Sequence, residues 1–371
     1  MRNTYALINL INLENNIKEI ISNYSYEYYF GVVKANAYGH GYEVVKTMDK
    51  AGINYFCTSS LEEALEVRKY TKKPILVFGY VNTNDIGLVE KNNITLSIIS
   101  MDYFNELMKV NSNIKVHLKI NSGMNRFGIK NKEEVLEIVN KLNKSNMELE
   151  GVYTHFATSG VSDKYYDMQI ANFEEITSLI NLKEIPIVHL FNSISLARHK
   201  QKSYANGVRL GLMLYGFTFK MSEPSFLTKL KRKILYKNIS PTTLSNSLNL
   251  KKVLSLHSEV ININKITKGE FVGYGAKYVA SDNVLIAVIP IGHADGITSC
   301  YKKVMINDKI YPIISICMDY IMDKVDNTIK VHDKVALINE KIVIGKDIIN
   351  DNPHHLLVSI SNRVERRYKE K

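Results

Sequence analysis

At 371 residues and 45% hydrophobic content, the chain can build one large domain plus a smaller one, each with a full core. Lysine and arginine exceed aspartate and glutamate by 48 − 37 = +11, yet the excess is scattered and meets no stacking platform or helix-turn-helix pattern, so it reads as solvated surface rather than a nucleic-acid site. Three cysteines without CxxC spacing, no signal-peptide core and no apolar run of membrane-spanning length argue against a disulfide framework, a thiolate metal site and a membrane span, and set the expectation of a cytoplasmic protein.

In chain order, short β-rich apolar runs recur at 29–35, 54–59, 74–79, 94–99, 115–120, 149–155, 187–191 and 206–211. Helix-period stretches lie between them, among them 59–70, where Ser59 or Ser60 can cap and glutamates suit the first turn, 131–145 and 167–181. Strand and helix alternating eight times over roughly 210 residues is what a (β/α)8 barrel requires. An open doubly wound sheet is the alternative, but it usually needs fewer units and, for nucleotides, a GxGxxG turn that is absent here. The expected division is a barrel over 1–220, a polar linker or insertion over 221–251, and a mostly β domain over 252–371, where strands follow one another without helices.

Catalytic groups of a parallel barrel sit at the C-terminal ends of its strands. Polar residues expected there are Lys34 after strand one, Arg126 after strand five, His155 at the end of strand six, Ser193 after strand seven and Arg209 within strand eight. Each alone has a bland explanation: a solvated lysine, a loop cation, a satisfied core histidine. Five at one mouth do not. A buried lysine can lose its proton and form an imine with an aldehyde, which is how lysine holds pyridoxal phosphate. Ser193 and the amides of Gly211 and Leu212 could hold the phosphate, and Arg209 could face the pyridine nitrogen.

The stretches "VVKANAYGHG", "GMNRFG", "YTHFATS", "RLGLMLYG", "YGAKY", "IPIGHADG" and "ICMD" occur in the order of the alanine racemase family, the fold-type III pyridoxal-phosphate enzymes, which the chain resembles over about residues 4–366. The resemblance implies pyridoxal 5'-phosphate on Lys34, Tyr38 as a phosphate contact, and a homodimer in which the β domain completes the partner's site. It implies a two-base racemisation by Lys34 and Tyr274, with His155 and Arg209 relaying charge to the tyrosine. It also places Arg126 and the Met318 amide on the substrate carboxylate, with Asp319 supporting that loop, and matches Lys119 to a position carbamylated in some relatives. The implied activity interconverts L- and D-alanine, supplying D-alanine for cell-wall synthesis.

Three positions depart from the family pattern. His293 and Asn362 stand where tyrosines are usual, and Ser315 where an arginine is common. One reading is drift with compensation elsewhere. The other is a roomier, more polar pocket that accepts serine beside alanine, since serine-accepting relatives share the asparagine. A decarboxylase of the same architecture is the enzymatic rival, although 192–195 lacks the glycine-rich phosphate loop; a non-catalytic pyridoxal-phosphate carrier is the rival of another class, although it leaves the β domain without a role.

Overall fold

The computed structural model describes residues 2–159, 163–217, 248–342 and 353–370. Strand β1 (Tyr5–Asn9) precedes eight parallel strands: β2 (Tyr28–Val32), β3 (Tyr55–Thr58), β4 (Ile75–Val77), β5 (Ile94–Ile98), β6 (Lys115–Lys119), β7 (Glu148–Tyr153), β8 (Ile187–Asn192) and β9 (Gly207–Leu210). Each pairs with the next, and β9 pairs back to β2, so the eight close into a barrel and the open sheet is ruled out. Every residue of β3, β4, β5 and β9 is buried, as helices cover the outer face of a parallel sheet. The helix Leu61–Arg68 starts at Ser60, whose hydroxyl accepts the Glu63 amide, and Lys132–Leu142 starts at Asn131, which accepts two amides.

A second sheet follows, built from β10 (Leu254–Glu259), β11 (Asn262–Ile266), β14 (Val284–Ile289), β15 (Lys303–Ile306), β16 (Lys309–Ile316), β17 (Ile321–Val325), β18 (Lys334–Ile338) and β19 (Glu365–Lys369), with a small hairpin of β12 (Phe271–Val272) and β13 (Tyr278–Val279) beside it. The fold is thus a (β/α)8 barrel followed by a mostly β domain.

The ninth strand of that sheet is β1, antiparallel to β10 and parallel to β19. Residues 1–220 are therefore not all barrel, although the sequence alone leads one to expect it. The alternating burial of β1 explains its place: it has one face to cover, whereas the barrel strands need both faces dry. Of the stretch 221–251 expected as a linker or insertion, residues 221–247 lie outside the described residues. Among the described residues no helix is long and apolar enough to cross a membrane.

Candidate active site

Strand β2 ends at Val32, and Lys34 opens a left-handed turn rather than the right-handed helix expected after a barrel strand. Ala35, Asn36, Ala37 and Tyr38 all have φ of 52–53°, and Gly39 and Gly41 follow at 77° and 88°. An L-residue in this region costs about 1–2 kcal/mol, so four in succession need external support. The C-terminal segment supplies part of it. A Cβ on Gly39 would collide with the Leu357 carbonyl, Arg366 donates Nε–H to the Gly39 carbonyl at 3.1 Å, and the Tyr368 hydroxyl donates to the His40 carbonyl at 3.1 Å.

Lys34 faces a cavity of about 530 Å³ at the barrel mouth. Lys119, Arg126, His155, Ser193 and Arg209 line the same cavity, so the residues expected at strand ends do converge. Four of the lining residues are cations, and no aspartate or glutamate is among the described lining residues. Mutual repulsion and dehydration therefore shape their protonation. Burial, then Arg126, lowers the pKa of Lys34. The same forces, with Arg209 and Lys34 added, lower Lys119 to about 7. Burial and the surrounding cations hold His155 at about 3, so it is neutral at physiological pH and the positive charge of the pair resides on Arg209.

At one end of the cavity, Ser193 Oγ accepts the Gly211 amide at 2.9 Å. A Cβ on Gly211 would sit 3.1 Å from the Tyr38 hydroxyl and 4.0 Å from Ser193 Oγ. Two hydroxyls and a bare backbone thus converge on one spot, with Leu212 adjacent in the wall. Such a cradle suits a phosphate.

Arg209 is buried and donates to the carbonyls of Thr154, His189 and Leu190 as well as to His189 Nδ1. His189 Nε2 lies 2.8 Å from His117 Nδ1, and His117 Nε2 lies 3.2 Å from Glu150. Burial acts to raise the pKa of Glu150, but hydrogen bonds from His117, Lys115 and Tyr55 outweigh it and hold the carboxyl at about 2. The sequence offered Arg209 but not the histidines behind it, because both side chains point into the barrel below its mouth.

The β-domain residues expected at the site from the sequence do not line this cavity within one chain. Tyr274 is 78% exposed and Met318 is 61% exposed, with Phe271 and Tyr320 exposed nearby; His293 and Asn362 are also exposed. They belong to one connected surface: the His293 and Ala294 amides donate to the Cys317 and Met318 carbonyls, Ser315 abuts Gly273, and Arg363 bridges Asp295 at 2.9 Å and Asp319 at 2.8 Å. The β-domain residue that does reach the cavity is His354, with its ring 5.5 Å from that of Tyr38. A search of strand ends could not find it, because it sits on the short helix Pro353–Val358.

A closed barrel whose mouth gathers a lysine, a hydroxyl-and-amide cradle and a buried arginine, followed by a β domain, is an architecture that barrel-type amino-acid racemases share with decarboxylases, and similarity to known proteins places the chain among the racemases. The model of the alanine racemase N-terminal domain matches residues 8–218 and that of the C-terminal domain matches residues 253–368. The chain belongs to the alanine racemase family. It is similar to the alanine racemase of Listeria monocytogenes serotype 4b (strain F2365), 34% identical over 344 residues that cover 90% of this chain and 87% of the relative. Among solved structures, the alanine racemase from Bacillus anthracis with bound L-Ala-P superposes with a TM-score of 0.86 at 30% identity, covering 100% of this chain and 96% of that one. The histidine racemase from Leuconostoc mesenteroides subsp. sake is similar too, at 25% identity and a TM-score of 0.84, covering 100% and 99%.

Proposed function

We propose that the protein is a pyridoxal-phosphate-dependent racemase that interconverts L- and D-alanine in the cytoplasm, as a dimer with shared sites, and so supplies D-alanine for cell-wall synthesis. The observation that carries this reading is the half-buried Lys34, its proton affinity lowered by burial and Arg126, facing the same cavity as the Ser193–Gly211–Tyr38 cradle. These residues fit the cofactor: Lys34 Nζ for its aldehyde carbon, Tyr38, Ser193, Gly211 and Leu212 for its phosphate, and Arg209 for its ring nitrogen.

When bound, pyridoxal phosphate supplies the electron-withdrawing system that makes the substrate's α-hydrogen acidic. Lys34 Nζ then holds or removes a proton on one face of the α-carbon. One side chain cannot reach both faces, and the Tyr274 hydroxyl, exposed in its own chain, serves the other face from the partner. Tyrosine titrates near ~10 in water, so it needs a neighbouring cation to act as a base, and Arg209 is the charged member of the pair it would meet. Arg126 binds the substrate carboxylate with the Met318 amide, on a loop held by the Asp319–Arg363 pair. Arg209, lowered only to about 10, stays charged and would disfavour a proton on the ring nitrogen of the bound cofactor, which would restrain side reactions. Lys119, poised at about 7, has enough free amine at neutral pH to add carbon dioxide as a carbamate that would pair with Arg126.

Exposed Phe271, Tyr274, Met318 and Tyr320 support the dimer, because a cluster of large apolar side chains this open calls for a partner surface. The lining arginines Arg126 and Arg209 disfavour a substrate with a cationic side chain, and so favour alanine over a histidinium. The test is the purified full chain with pyridoxal phosphate. We expect borohydride to fix the cofactor on Lys34, and alanine in D2O to gain deuterium at the α-carbon as it racemises. Fixation on another lysine, or no exchange at alanine, would overturn the reading.

A further inference from the structure

The first amide of the left-handed turn is held by a residue from a different βα unit. The Ala35 amide donates to Oε1 of Glu63 at 2.6 Å, and the Ser59 amide donates to Oε2 of the same carboxylate at 2.8 Å. Glu63 itself is fixed by its helix, since the Ser60 hydroxyl caps its amide. One carboxylate therefore ties the end of β3 to the residue immediately after Lys34. Just before the turn the Val33 amide donates to the Cys57 carbonyl at 2.9 Å, and the C-terminal contacts grip Gly39 and His40, four residues or more beyond Ala35.

Charge adds a second consequence. The groups that act on Lys34 are Arg126 from the loop after β6, Cys57 from β3 and Glu63; Lys34 in turn acts on Lys119, His155 and the His354 ring. Glu63 is the carboxylate in that set, opposing burial and Arg126.

We propose that Glu63 is a positioning residue for Lys34: its carboxylate pins the start of the strained turn so that the lysine amine points into the cavity, and its charge partly offsets the field of Arg126 there. This rests on the reading of Lys34 as the cofactor lysine. Tyr38 stands at the other end of the same turn, so Glu63 holds the amine in register with the phosphate cradle as well.

The experiment follows covalent capture of pyridoxal phosphate by the full chain after removal of cofactor with hydroxylamine, using absorbance and the rate constant as a function of pH. Wild type, Glu63→Gln and Glu63→Ala are compared, with thermal melts as a folding control. For Glu63→Gln we expect the pH midpoint of capture to move down by about half a unit or more, because the carboxylate charge is lost, and a plateau lowered less than in Glu63→Ala, because the amide still accepts one of the two backbone N–H groups. For Glu63→Ala we expect the same shift and a plateau rate lower by about tenfold, since an amine displaced by a fraction of an ångström is badly placed for attack. If Glu63→Ala does not fold, the glutamine variant decides the matter by its midpoint. Wild-type midpoints and plateaus in the folded variants would overturn the proposal, while failure of wild type to capture the cofactor would overturn the reading of Lys34 beneath it.

Discussion

Arg209 donates Nη1–H to Nδ1 of His189 at 2.8 Å, and this contact sets the tautomers of two buried histidines. Arginine can only donate, so His189 Nδ1 carries the lone pair and its Nε2–H donates to His117 Nδ1. His117 Nε2–H must then donate to Glu150. Arg209 is thereby oriented from the floor of the barrel.

Glu150→Gln should break this chain. The glutamate accepts from His117, Lys115 and Tyr55, and an amide offers a single acceptor while adding donors that face the same groups. We expect a loss of about 3 kcal/mol in urea unfolding, the usual cost of an unpaired buried group, together with a shifted cofactor absorbance as Arg209 loses its fixed orientation. Unchanged stability and spectrum would refute the chain of donors.

Gly39→Ala should be worse than its size suggests. The position has φ of 77°, and a Cβ there would meet the Leu357 carbonyl, which belongs to a helix and cannot swing aside. A loss of about 2 kcal/mol or more in unfolding free energy, with weaker cofactor binding in a titration, is the expected outcome.

Asp323→Val should stabilise the protein at neutral pH. Both carboxyl oxygens of Asp323 are buried in β17 without a hydrogen-bond partner among the described residues, and burial pushes its pKa well up. A gain of about 1–3 kcal/mol is expected in urea unfolding at pH 7.5, because the desolvation cost disappears. A loss instead would point to a partner for the carboxyl.

Stability should fall as pH drops from 6.5 towards 5. His40, His117 and His189 are fully buried and their pKa values are lowered, His40 to about 4. Below 6.5 the unfolded chain takes up protons that the folded one refuses, at about 1.4 kcal/mol per pH unit for each histidine until its folded value is reached. Asp323 works the other way in this window, because burial raises its folded pKa well above that of the unfolded chain. Glu150, held at about 2, is ionised in both states there and contributes no slope. The histidines outnumber the carboxyl, so a flat or inverted slope between pH 5 and 6.5 would show that they are not neutral.

Lys34→Ala and Tyr274→Phe should each abolish racemisation as homodimers. Mixed under conditions of proven subunit exchange, they should recover about a quarter of wild-type activity, because half the dimers are mixed and one site in each holds both bases. No recovery would place Tyr274 in its own subunit's site.

The sequence by itself determined the barrel and the convergence at its mouth. Eight apolar runs with helix-period stretches between them have few ways to bury both faces of every strand, and residues such as Ser193 and Arg209 lie where strand ends must meet. Local pattern also offered a cap at Ser59 or Ser60, of which the fold uses Ser60, because a cap depends on a few neighbouring residues. Tertiary structure alone decided the rest. It moved β1 into the second sheet, since pairing with β10 and β19 joins residues more than 240 positions apart. It imposed the left-handed turn on "ANAY", whose own preference is right-handed, through contacts with Glu63, Leu357 and Arg366 from distant segments. It also set the protonation of Lys34, Lys119 and His155, which depends on burial and on which cations end up side by side, and neither is written in any one stretch of chain.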